Sequence, residues 1–311
     1  MKISQRLQII KDMSGLTQEK LARQIGVSFA TLNSWINERS LPHKRHQNKI
    51  DLFYCKYTGQ KSIIDNVLLA KKNIIKDKAK KFNDIIKFIK ENPDIYDEFI
   101  LALTYNSNSI EGSTLTKEET ANILFENLTL PNKDLKEHLE AKNHQLALKY
   151  LFDNINYKFK ISEEFILKLH EILMRGISED AGRHRDHAVR IVGANVPTAN
   201  FLKIPVLMNE LVKDINKTNK DIIGHVSRIH SRFEQIHPFS DGNGRIGRIL
   251  IHAMLLRKKI VPAVIRQKRK NLYYRYLRVS QIKNEYEQLE EFISNAVLIG
   301  FRIIERKLIE K

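Results

Sequence analysis

Residues 237–248 read HPFSDGNGRIGR, and this stretch is the most informative part of the sequence for predicting the fold. Gly242 and Gly244 flank Asn243, so the backbone can bend tightly here and expose its amide N–H groups. Apolar residues then resume at helical spacing, so the bend leads into a helix. The free N–H groups and the dipole at the start of a helix favour an anion such as phosphate. The stretch therefore predicts an anion site at the beginning of a helix.

The charged side chains of the same stretch suit that anion. Arg245 and Arg248 lie three residues apart, share one face of the first helical turn, and can fork onto phosphate oxygens. Asp241 would repel phosphate unless a divalent cation bridged the two, and Mg²⁺ is the usual cation in that role. His237 can take up a proton near neutral pH and is the candidate catalytic base. A single His-Pro or Gly-Asn-Gly is an ordinary loop, but here all of these features fall within twelve residues.

These residues resemble, at every defining position, the signature of the Fic/Doc superfamily, His-Pro-Phe-x-Asp/Glu-Gly-Asn-Gly-Arg-x-x-Arg. The resemblance implies a protein adenylyltransferase, which moves AMP from ATP onto a Ser, Thr or Tyr hydroxyl of a target protein. Kinase-like relatives replace the second loop glycine, so the retained Gly244 favours AMP transfer, with UTP not excluded as a nucleotide. The ATP- and metal-binding residues that the resemblance implies are Asp241 for Mg²⁺, Gly242, Asn243 and Gly244 for the α- and β-phosphates, and Arg245 and Arg248 for the β/γ end.

Further similarity to the family extends over residues 95–300. Residues 182–197 resemble the family's flap, a hairpin that holds the target peptide by strand addition. The segment NLYY resembles the lining of the adenine pocket and assigns Tyr273 and Tyr274 to the nucleotide. Some relatives have asparagine where this chain has Gln281, which puts one contact to the ribose or base in doubt. The candidate target contacts in the flap are Val192, Gly193, Ala194 and Asn195.

Residues 107–112 read SNSIEG and match the Ser/Thr-x-x-x-Glu-Gly/Asn inhibitory motif of one class of Fic proteins. The resemblance assigns Ser107, Glu111 and Gly112 to an inhibitory segment. Glu111 would pair with Arg248 and occupy the guanidinium that the γ-phosphate needs. The alternative is a plain helix end at Gly112. The same glutamate could instead position a water for the removal of AMP.

Residues 17–42 read TQEKLARQIGVSFATLNSWINERSLP and indicate a second functional unit. Small Ala22, a positive-φ turn at Gly26 and apolar Leu32 fit two closely packed helices. The pattern resembles the helix-turn-helix of the Cro and phage-repressor type, whose second helix enters the major groove. The candidate DNA contacts are Gln18 for phosphate, and Ser28, Phe29, Thr31 and Asn33 for bases. The alternative is a packing module without DNA, and the aromatic side chain at residue 29 could indicate a protein contact instead.

Apolar residues recur at helical spacing almost throughout, and the chain has only 12 glycines and 7 prolines. Residues 187–201 are β-branched and then turn-rich, and predict one short hairpin. The expected fold is mainly α: a Fic-type helical bundle with one small β-hairpin flap, preceded by a small helix-turn-helix domain. The expected domains are residues 1–60, a connecting helical segment 61–94, and a catalytic domain 95–311 with the inhibitory segment at about 104–112.

The 53 Lys and Arg residues exceed the 36 Asp and Glu residues, which gives a formal net charge of +17. Such an excess is typical of a protein with a polyanionic partner, nucleic acid or a triphosphate, or of a Lys-rich composition alone. No apolar run approaches the ~20 residues of a membrane span, and the first residues lack a secretory pattern, so no membrane partner is expected. The single cysteine excludes an internal disulfide, and we expect a cytoplasmic protein.

Three functions follow from these patterns. The first is an autoinhibited AMP transferase tethered through its helix-turn-helix, and the second is a DNA-binding transcription regulator that uses the Fic domain as a nucleotide sensor. The third is an enzyme that mainly removes AMP. A pure regulator has no need of His237, which favours a transferase. The expected partners are a target protein, ATP with Mg²⁺, and DNA through the N-terminal domain, while a homo-oligomer, the target's identity and the operator stay open.

Overall fold

The computed structural model describes residues 1–60, 63, 66–190 and 196–309, with side chains to residue 306. These residues form α-helices and two short 3-10 helices, and none of them lies in a β-strand. They divide into two compact units, Met1–Lys81 with Ile304–Lys311, and Phe82–Ile303. Compactness does not test where the functional domains begin, so the bounds at residues 60 and 94 stay predictions. No helix in the described part of the chain is both long and apolar enough to cross a bilayer.

The first unit is built from the N-terminal helices, in which α1 and α2 each pack against α3 and α4. These helices are α1 (Ile3–Ser14), α2 (Gln18–Ile25), α3 (Phe29–Ile36), α4 (Lys44–Thr58) and α5 (Val67–Ala79). Their buried side chains recur at helical spacing, as in α1, where Leu7 and Ile10 are fully buried.

The predicted helix-turn-helix is formed by α2, α3 and the turn between them. Gly26 ends α2 in the left-handed region with φ 85°, which favours glycine. Ser28 then caps α3, since its side-chain oxygen accepts a hydrogen bond from the backbone N–H of Thr31 at 3.1 Å. Ala22 and Leu32 are buried between the helices. This geometry confirms the helix-turn-helix.

The second unit is a larger helical bundle. Its α-helices are α6 (Ile85–Glu91), α7 (Pro93–Glu111), α8 (Lys117–Phe125), α9 (Leu135–Asn154), α10 (Glu163–Met174), α11 (Ile204–Ile215), α12 (Ile222–Ile236), α13 (Asn243–Leu256), α14 (Lys270–Lys283) and α15 (Glu287–Ile309), of which α15 ends within the first unit. Two 3-10 helices, Phe201–Lys203 and Gln267–Arg269, precede α11 and α14.

Helix α7 contains the segment predicted to be inhibitory. Proline is favoured in a first helical turn, and Pro93 begins this helix. It continues to Glu111 and ends at Gly112, which has φ 114°. The segment predicted to be inhibitory is therefore the last part of a long helix.

Helix α13, which follows the HPFSDGNGRIGR loop, lies at the centre of the second unit. Every one of its residues except Gly244 is buried, and α7, α9, α10 and α12 all pack against it. A helix that is buried all round must carry apolar residues on every face, which its ILIHAMLL half does. The loop is therefore attached to the best-packed helix of the unit.

The predicted β-hairpin is not supported by the described residues. Residues 187–190 and 196–200 are irregular, and Phe201 begins a 3-10 helix. The fold of the described residues is thus helical without a strand, which corrects that part of the predicted fold class. The flap residues Val192, Gly193, Ala194 and Asn195 lie outside the described part of the chain.

The hydrogen bonds of these two arms explain why they do not form a strand pair where they are described. The carbonyl of Val189 accepts a hydrogen bond from the hydroxyl of Thr198 at 2.9 Å, so a side chain takes the place of a ladder N–H. The N–H of Ala199 donates to the carbonyl of Gln235 at 3.2 Å, at the end of α12. The β-branched and turn-rich pattern was wrong as a guide because these backbone groups bond to a side chain and to the end of α12 instead.

Candidate functional site

The loop between α12 and α13 is bounded by two left-handed residues. His237 ends α12 with φ 52°, and Gly242 precedes α13 with φ 80°. A Cβ at Gly242 would also lie 3.0 Å from the sulfur of Met174, so this position needs glycine for conformation and for space. The first backbone hydrogen bond of α13 runs from Ile246 to Gly242 at 3.0 Å, which leaves the N–H groups of residues 243–245 to face an anion.

Internal contacts hold the loop in place. The side-chain amide of Asn243 donates to the carbonyl of Phe239 at 2.8 Å, and its oxygen accepts from the N–H of Phe239 at 2.9 Å. The Phe239 ring is fully buried and stacks on His170, with centroids 3.7 Å apart. The His170 Nε2–H donates to the carbonyl of Asp241 at 3.0 Å. The amide of Asn243 thus fixes the loop, and only its backbone N–H remains for phosphate.

His237 is arranged as a proton acceptor. Its Nδ1 lies 3.2 Å from the carbonyl of Glu234, which can only accept, so Nδ1 carries the hydrogen and Nε2 has the free lone pair. Burial lowers the pKa of His237 below its usual range, and the nearby charge of Arg185 lowers it further. The imidazole is therefore neutral at neutral pH, as a general base must be.

Arg185 supports this loop, although the sequence pattern did not single it out as a site residue. It is buried, and its guanidinium donates to the carbonyl oxygens of His237 at 2.7 Å, His187 at 2.5 Å and Ala199 at 2.6 Å. Its backbone N–H donates to Pro238 at 3.0 Å. One buried cation thus ties the loop to both arms of the predicted flap. No sequence signal pointed to this role, because the His237 carbonyl lies 52 residues from Arg185.

Arg248 is held by the predicted inhibitory residues. Its Nε donates to the Ser107 hydroxyl at 2.9 Å, and one terminal nitrogen donates to the Ser107 carbonyl at 3.1 Å and to the Glu111 carboxylate at 2.7 Å. Burial by itself lowers the pKa of Arg248, but Glu111 together with the hydroxyls of Tyr273 and Tyr274 outweighs this effect, and the net direction is upward. The other terminal nitrogen has no hydrogen-bond partner among the described residues. This cation therefore has an internal counterion and one free donor.

Gly244 provides the space for this ion pair. A Cβ at this position would lie 2.4 Å from Oε1 of Glu111 and 3.2 Å from a terminal nitrogen of Arg248. No methyl group fits at that distance while the carboxylate keeps its place. The glycine predicted to cradle phosphate thus also borders the Glu111 carboxylate.

Arg245 points to a different set of partners. It is 2% exposed, and its guanidinium lies 3.0 Å from Glu140 of α9 and 3.5 Å from Asp241. The structure therefore places Arg245 behind the loop, between two carboxylates, and apart from Arg248 and Glu111. Its predicted contact with the β/γ end of a nucleotide stays a prediction. Glu140 gave no sequence signal because it lies 105 residues before Arg245.

The two tyrosines predicted to line the base pocket differ in exposure. Tyr273 is fully buried, and its hydroxyl lies 2.6 Å from Nε2 of His230. Tyr274 is 39% exposed and is accessible to a ligand. Gln281 lies on the same helix and donates to the carbonyl of Ser231 at 3.4 Å. Of the two, only Tyr274 is accessible from outside, and its ring lies against that of Tyr273 with centroids 5.3 Å apart. The predicted contacts of both with a base stay predictions.

A buried polar cluster under α13 was not predicted. Burial raises the pKa of Glu234 to about 8 and lowers those of His230 and His252 to about 3. Glu234 Oε1, His230 Nδ1 and His252 Nδ1 all lack a hydrogen-bond partner in the described part of the protein. A Cβ at Gly247 would lie 2.4 Å from Oε1 of Glu234, so this glycine admits the carboxyl group. These groups are neutral at neutral pH and surround the Arg248 charge.

Asp241 is the candidate metal ligand. Its side chain is 55% exposed, and one carboxylate oxygen accepts the N–H of Gly242 at 2.6 Å. No three His, Cys, Asp or Glu side chains of the described residues are grouped to hold a metal by themselves. Mg²⁺ commonly binds through one or two carboxylates, waters and substrate phosphates, so one exposed carboxylate beside an anion site fits that ion.

The candidate DNA contacts lie on and before α3. Phe29 is 49% exposed, and the Ser28 and Thr31 hydroxyls are 2.8 Å apart. The side-chain amide of Gln18 donates to the side-chain oxygen of Asn33 at 3.1 Å. The structure thus joins Gln18 of α2 to Asn33 of α3 and places Ser28, Phe29 and Thr31 at the beginning of α3.

Each of the two units contains a segment that matches a known protein family. Residues 160–255 match the Fic/DOC family, and residues 7–45 match a helix-turn-helix family. Similar curated proteins include the protein adenylyltransferase Fic of Drosophila yakuba, 30% identical over 180 residues, and that of Drosophila erecta, 30% identical over 183 residues. Each alignment covers 57% of this chain and 36% of the relative, so the chain spans about a third of the length of the curated relatives it matches.

Solved structures show the same fold. A Fic-domain signaling protein from Bacteroides thetaiotaomicron has a TM-score of 0.63 at 23% identity, covering 75% of this chain and 95% of its own. Fic-1 from C. elegans has a TM-score of 0.66 at 19% identity, covering 91% of this chain and 88% of its own. At these identities the likeness is one of fold alone. The chain therefore carries an N-terminal helix-turn-helix domain, followed along the sequence by a Fic/DOC-family domain.

Proposed function

We propose that the protein is an autoinhibited protein adenylyltransferase that transfers AMP from ATP to a Ser, Thr or Tyr hydroxyl of a target protein. The observation that carries the proposal is the position of His237. A neutral imidazole with a free Nε2 lies one loop away from the N–H groups of the first turn of α13, which have no partner within the helix. Base and phosphate site thus lie on one rigid loop.

In the proposed reaction, Nε2 of His237 accepts the proton of the target hydroxyl. The hydroxyl oxygen attacks the α-phosphorus, the bond to the β-phosphate oxygen breaks, and pyrophosphate leaves. The N–H groups at the start of α13 stabilise the charge on the phosphate oxygens. Most of the rate would come from positioning and charge stabilisation, because phosphoryl chemistry asks little covalent work of the protein.

Asp241 would hold Mg²⁺ against the α- and β-phosphates. When bound, the ion would neutralise charge on the phosphate oxygens and on the departing pyrophosphate. The chain's own contribution is to fix the carboxylate, because the Asp241 backbone carbonyl is bonded to His170 and its side chain to the N–H of Gly242. Tyr274 is placed to contact the base.

The proposed inhibition rests on competition for Arg248. Its guanidinium is buried and already has a carboxylate counterion at 2.7 Å. A γ-phosphate arriving at the same nitrogens would meet the negative charge of Glu111, which disfavours productive ATP binding. Once Glu111 moved away, phosphate oxygens could take its place as hydrogen-bond acceptor and as counterion of Arg248. The same carboxylate could orient a water for the removal of AMP, which we include in the proposal.

The test uses the full chain as wild type, Glu111→Gly and Glu111→Gly/His237→Ala. Each protein is incubated with Mg²⁺, lysate and ATP labelled on the α-phosphate, and labelled proteins are separated on a gel. We expect weak labelling with wild type, strong labelling with Glu111→Gly and none with the double variant. Labelling that survives the loss of His237 would contradict the assigned base, and no labelling by any form would contradict the transferase.

A second candidate function is binding of a DNA operator by the N-terminal unit. The observation that favours it is the exposed start of α3, where Ser28, Phe29 and Thr31 are accessible and Asn33 is oriented by Gln18. Each base contact contributes about 1–3 kcal/mol of discrimination. In a gel shift with an operator selected from a random library, Asn33→Ala should lose most of its preference for the selected sequence. Equal binding by wild type and Asn33→Ala would remove the support for base reading at this position.

A further inference from the structure

The part of the chain that follows the loop carries almost only positive charge. No Asp or Glu occurs between Asp241 and Glu285, whereas residues 242–284 contain 12 Lys and Arg residues. The net charge of the whole chain is +17, so this stretch holds most of the excess. Arg245 and Arg248 have carboxylate partners, but most of the other cations in the stretch are on the surface.

The residue types also differ from the rest of the chain. The chain has 34 Lys and 19 Arg, but residues 266–278 contain four Arg and two Lys. A general bias towards Lys would place Lys here, so composition alone does not explain the segment. Arginine presents a planar fork of donors that binds carboxylates in pairs of hydrogen bonds and is enriched at protein interfaces.

Five cations of the segment from the second 3-10 helix through α14 are exposed, and we call this set the basic face. It consists of Arg266, Lys268, Arg269, Arg275 and Arg278, all exposed. Helix α14 buries its opposite side through Tyr273, Leu277 and Ser280. Among the described residues, none of these five cations has a carboxylate within ion-pair distance. The charges of the basic face are thus not balanced within the unit.

The position of the cations along α14 is unfavourable for the helix itself. Arg269 is the N-cap without a side-chain hydrogen bond, and the first turn has no acidic residue. Cations beside the positive end of a helix dipole raise its energy, whereas an anion there is stabilised. The arrangement therefore suits an external anion rather than the stability of α14.

Apolar side chains lie among these cations. Leu272 is 37% exposed, Tyr274 is 39% exposed and Ile282 is 51% exposed. Aromatic rings can stack on nucleic-acid bases, but exposed leucine and isoleucine offer bases no such contact. A mixture of arginine, tyrosine and aliphatic groups is typical of a surface that binds a polypeptide.

The basic face adjoins the candidate site. The N–H of Gln267 donates to the side-chain oxygen of Asn106 at 2.9 Å, next to Ser107 on the helix that holds Arg248. Tyr273 joins α14 to His230 of α12. A chain bound to this surface therefore reaches the edge of the proposed nucleotide site.

We propose that the basic face docks an acidic segment of the target protein, with carboxylates on its arginines and apolar side chains on Leu272 and Ile282. The inference rests on the proposed function, since it assumes that a protein is the substrate. It specifies the class of target: one in which acidic and apolar residues lie near the modified hydroxyl. The electrostatic part of the contact makes association faster and sensitive to salt.

The test measures binding separately from transfer. The probe is a fluorescent peptide of alternating glutamate and leucine with one threonine, and its anisotropy is followed with the full chain. Arg275→Glu/Arg278→Glu is compared with Lys149→Glu/Lys213→Glu, which makes the same change in net charge at exposed lysines of α9 and α11. We expect the arginine variant to bind at least about tenfold more weakly than wild type, and the lysine variant to bind like wild type.

Two further measurements identify the partner. A peptide with glutamine in place of glutamate should bind weakly to every form, and binding of a short DNA duplex should be equal in both charge variants. Equal peptide binding by the two charge variants, or a selective loss of DNA binding in the arginine variant, would overturn the proposal. In the Glu111→Gly background, AMP transfer to the peptide should fall with the arginine substitutions while self-modification persists. If no form transfers AMP but the binding difference remains, the proposed activity fails and the docking surface stands.

Discussion

Glu111 and Arg248 lie on different helices, 137 residues apart in sequence, and their carboxylate and guanidinium are 2.7 Å apart in the structure. Arg248 is 2% exposed, so this carboxylate is the main charge that balances a buried cation. A nucleotide that needs the same guanidinium must displace it. The Glu111–Arg248 contact is the basis of the first two predictions.

Glu111→Gly and Glu111→Gln should each increase AMP transfer, by about tenfold or more, because both remove the charge that competes with the γ-phosphate. The measurement is the initial rate of labelling with ATP labelled on the α-phosphate. Glu118→Gln, at an exposed carboxylate of α8, is the matched control and should leave the rate unchanged. A rate equal to wild type in both Glu111 variants would show that the ion pair does not inhibit.

Gly244→Ala should destabilise the wild type more than it destabilises Glu111→Gly. In the wild type the added methyl would lie 2.4 Å from Oε1 of Glu111. In Glu111→Gly that oxygen is absent, and the methyl would lie 3.2 Å from a terminal nitrogen of Arg248. The coupling in a double-mutant cycle of unfolding free energies should be about 1 kcal/mol or more. Strictly additive effects would mean that the carboxylate does not occupy the space beside Gly244.

Glu140→Ala should lower the free energy of unfolding by about 3 kcal/mol, because it leaves the buried Arg245 without its nearer carboxylate. Denaturant titration measures this loss. The double variant Glu140→Leu/Arg245→Met should recover much of it, since apolar side chains can replace a buried ion pair. A neutral effect of Glu140→Ala would show that Asp241 alone balances Arg245.

His237→Ala should reduce transfer by at least about a hundredfold, the usual contribution of a general base. The affinity for ATP, measured by calorimetry in the Glu111→Gly background, should stay near that of the parent protein. His187→Ala, at an exposed histidine, is a control for loss of an imidazole in the same region. Loss of ATP affinity together with activity would assign His237 to binding rather than to proton transfer.

Glu234→Gln should flatten the dependence of stability on pH between pH 6.5 and 8. The folded protein keeps this carboxyl group protonated up to about pH 8, whereas its ordinary pKa is 4.5, so the unfolded chain has already lost the proton. The wild type therefore loses stability as pH rises through this window. His230 and His252 have pKa values of about 3 in the folded protein and an ordinary value of 6.5, so their contribution falls near the lower end of this window. It is the same in wild type and Glu234→Gln and cancels in the comparison.

Melting temperatures of wild type and Glu234→Gln at a series of pH values check this prediction. The variant should gain on the wild type as the pH approaches 8, because the amide is neutral at every pH. Parallel curves for the two proteins would place the Glu234 pKa in its ordinary range.

Features that depend on neighbouring residues along the chain can be predicted from the amino-acid sequence. The HPFSDGNGRIGR loop, the helix that it begins, the Gly26 turn and the Ser28 cap each follow from local chemistry, and each is present in the structure. Glu111 and Arg248 could also be paired from sequence, because both stand in recognisable motifs.

The partners of Arg245, Asn243 and Arg185 are known only from the three-dimensional structure. Arg245 faces Glu140, Asn243 bonds within its own loop, and Arg185 gathers carbonyl groups from three separate segments. The predicted hairpin also failed at this level, since the N–H of Ala199 bonds to the end of α12. Backbone conformation follows largely from adjacent residues, whereas the partner of a buried charge depends on which distant helices pack around it.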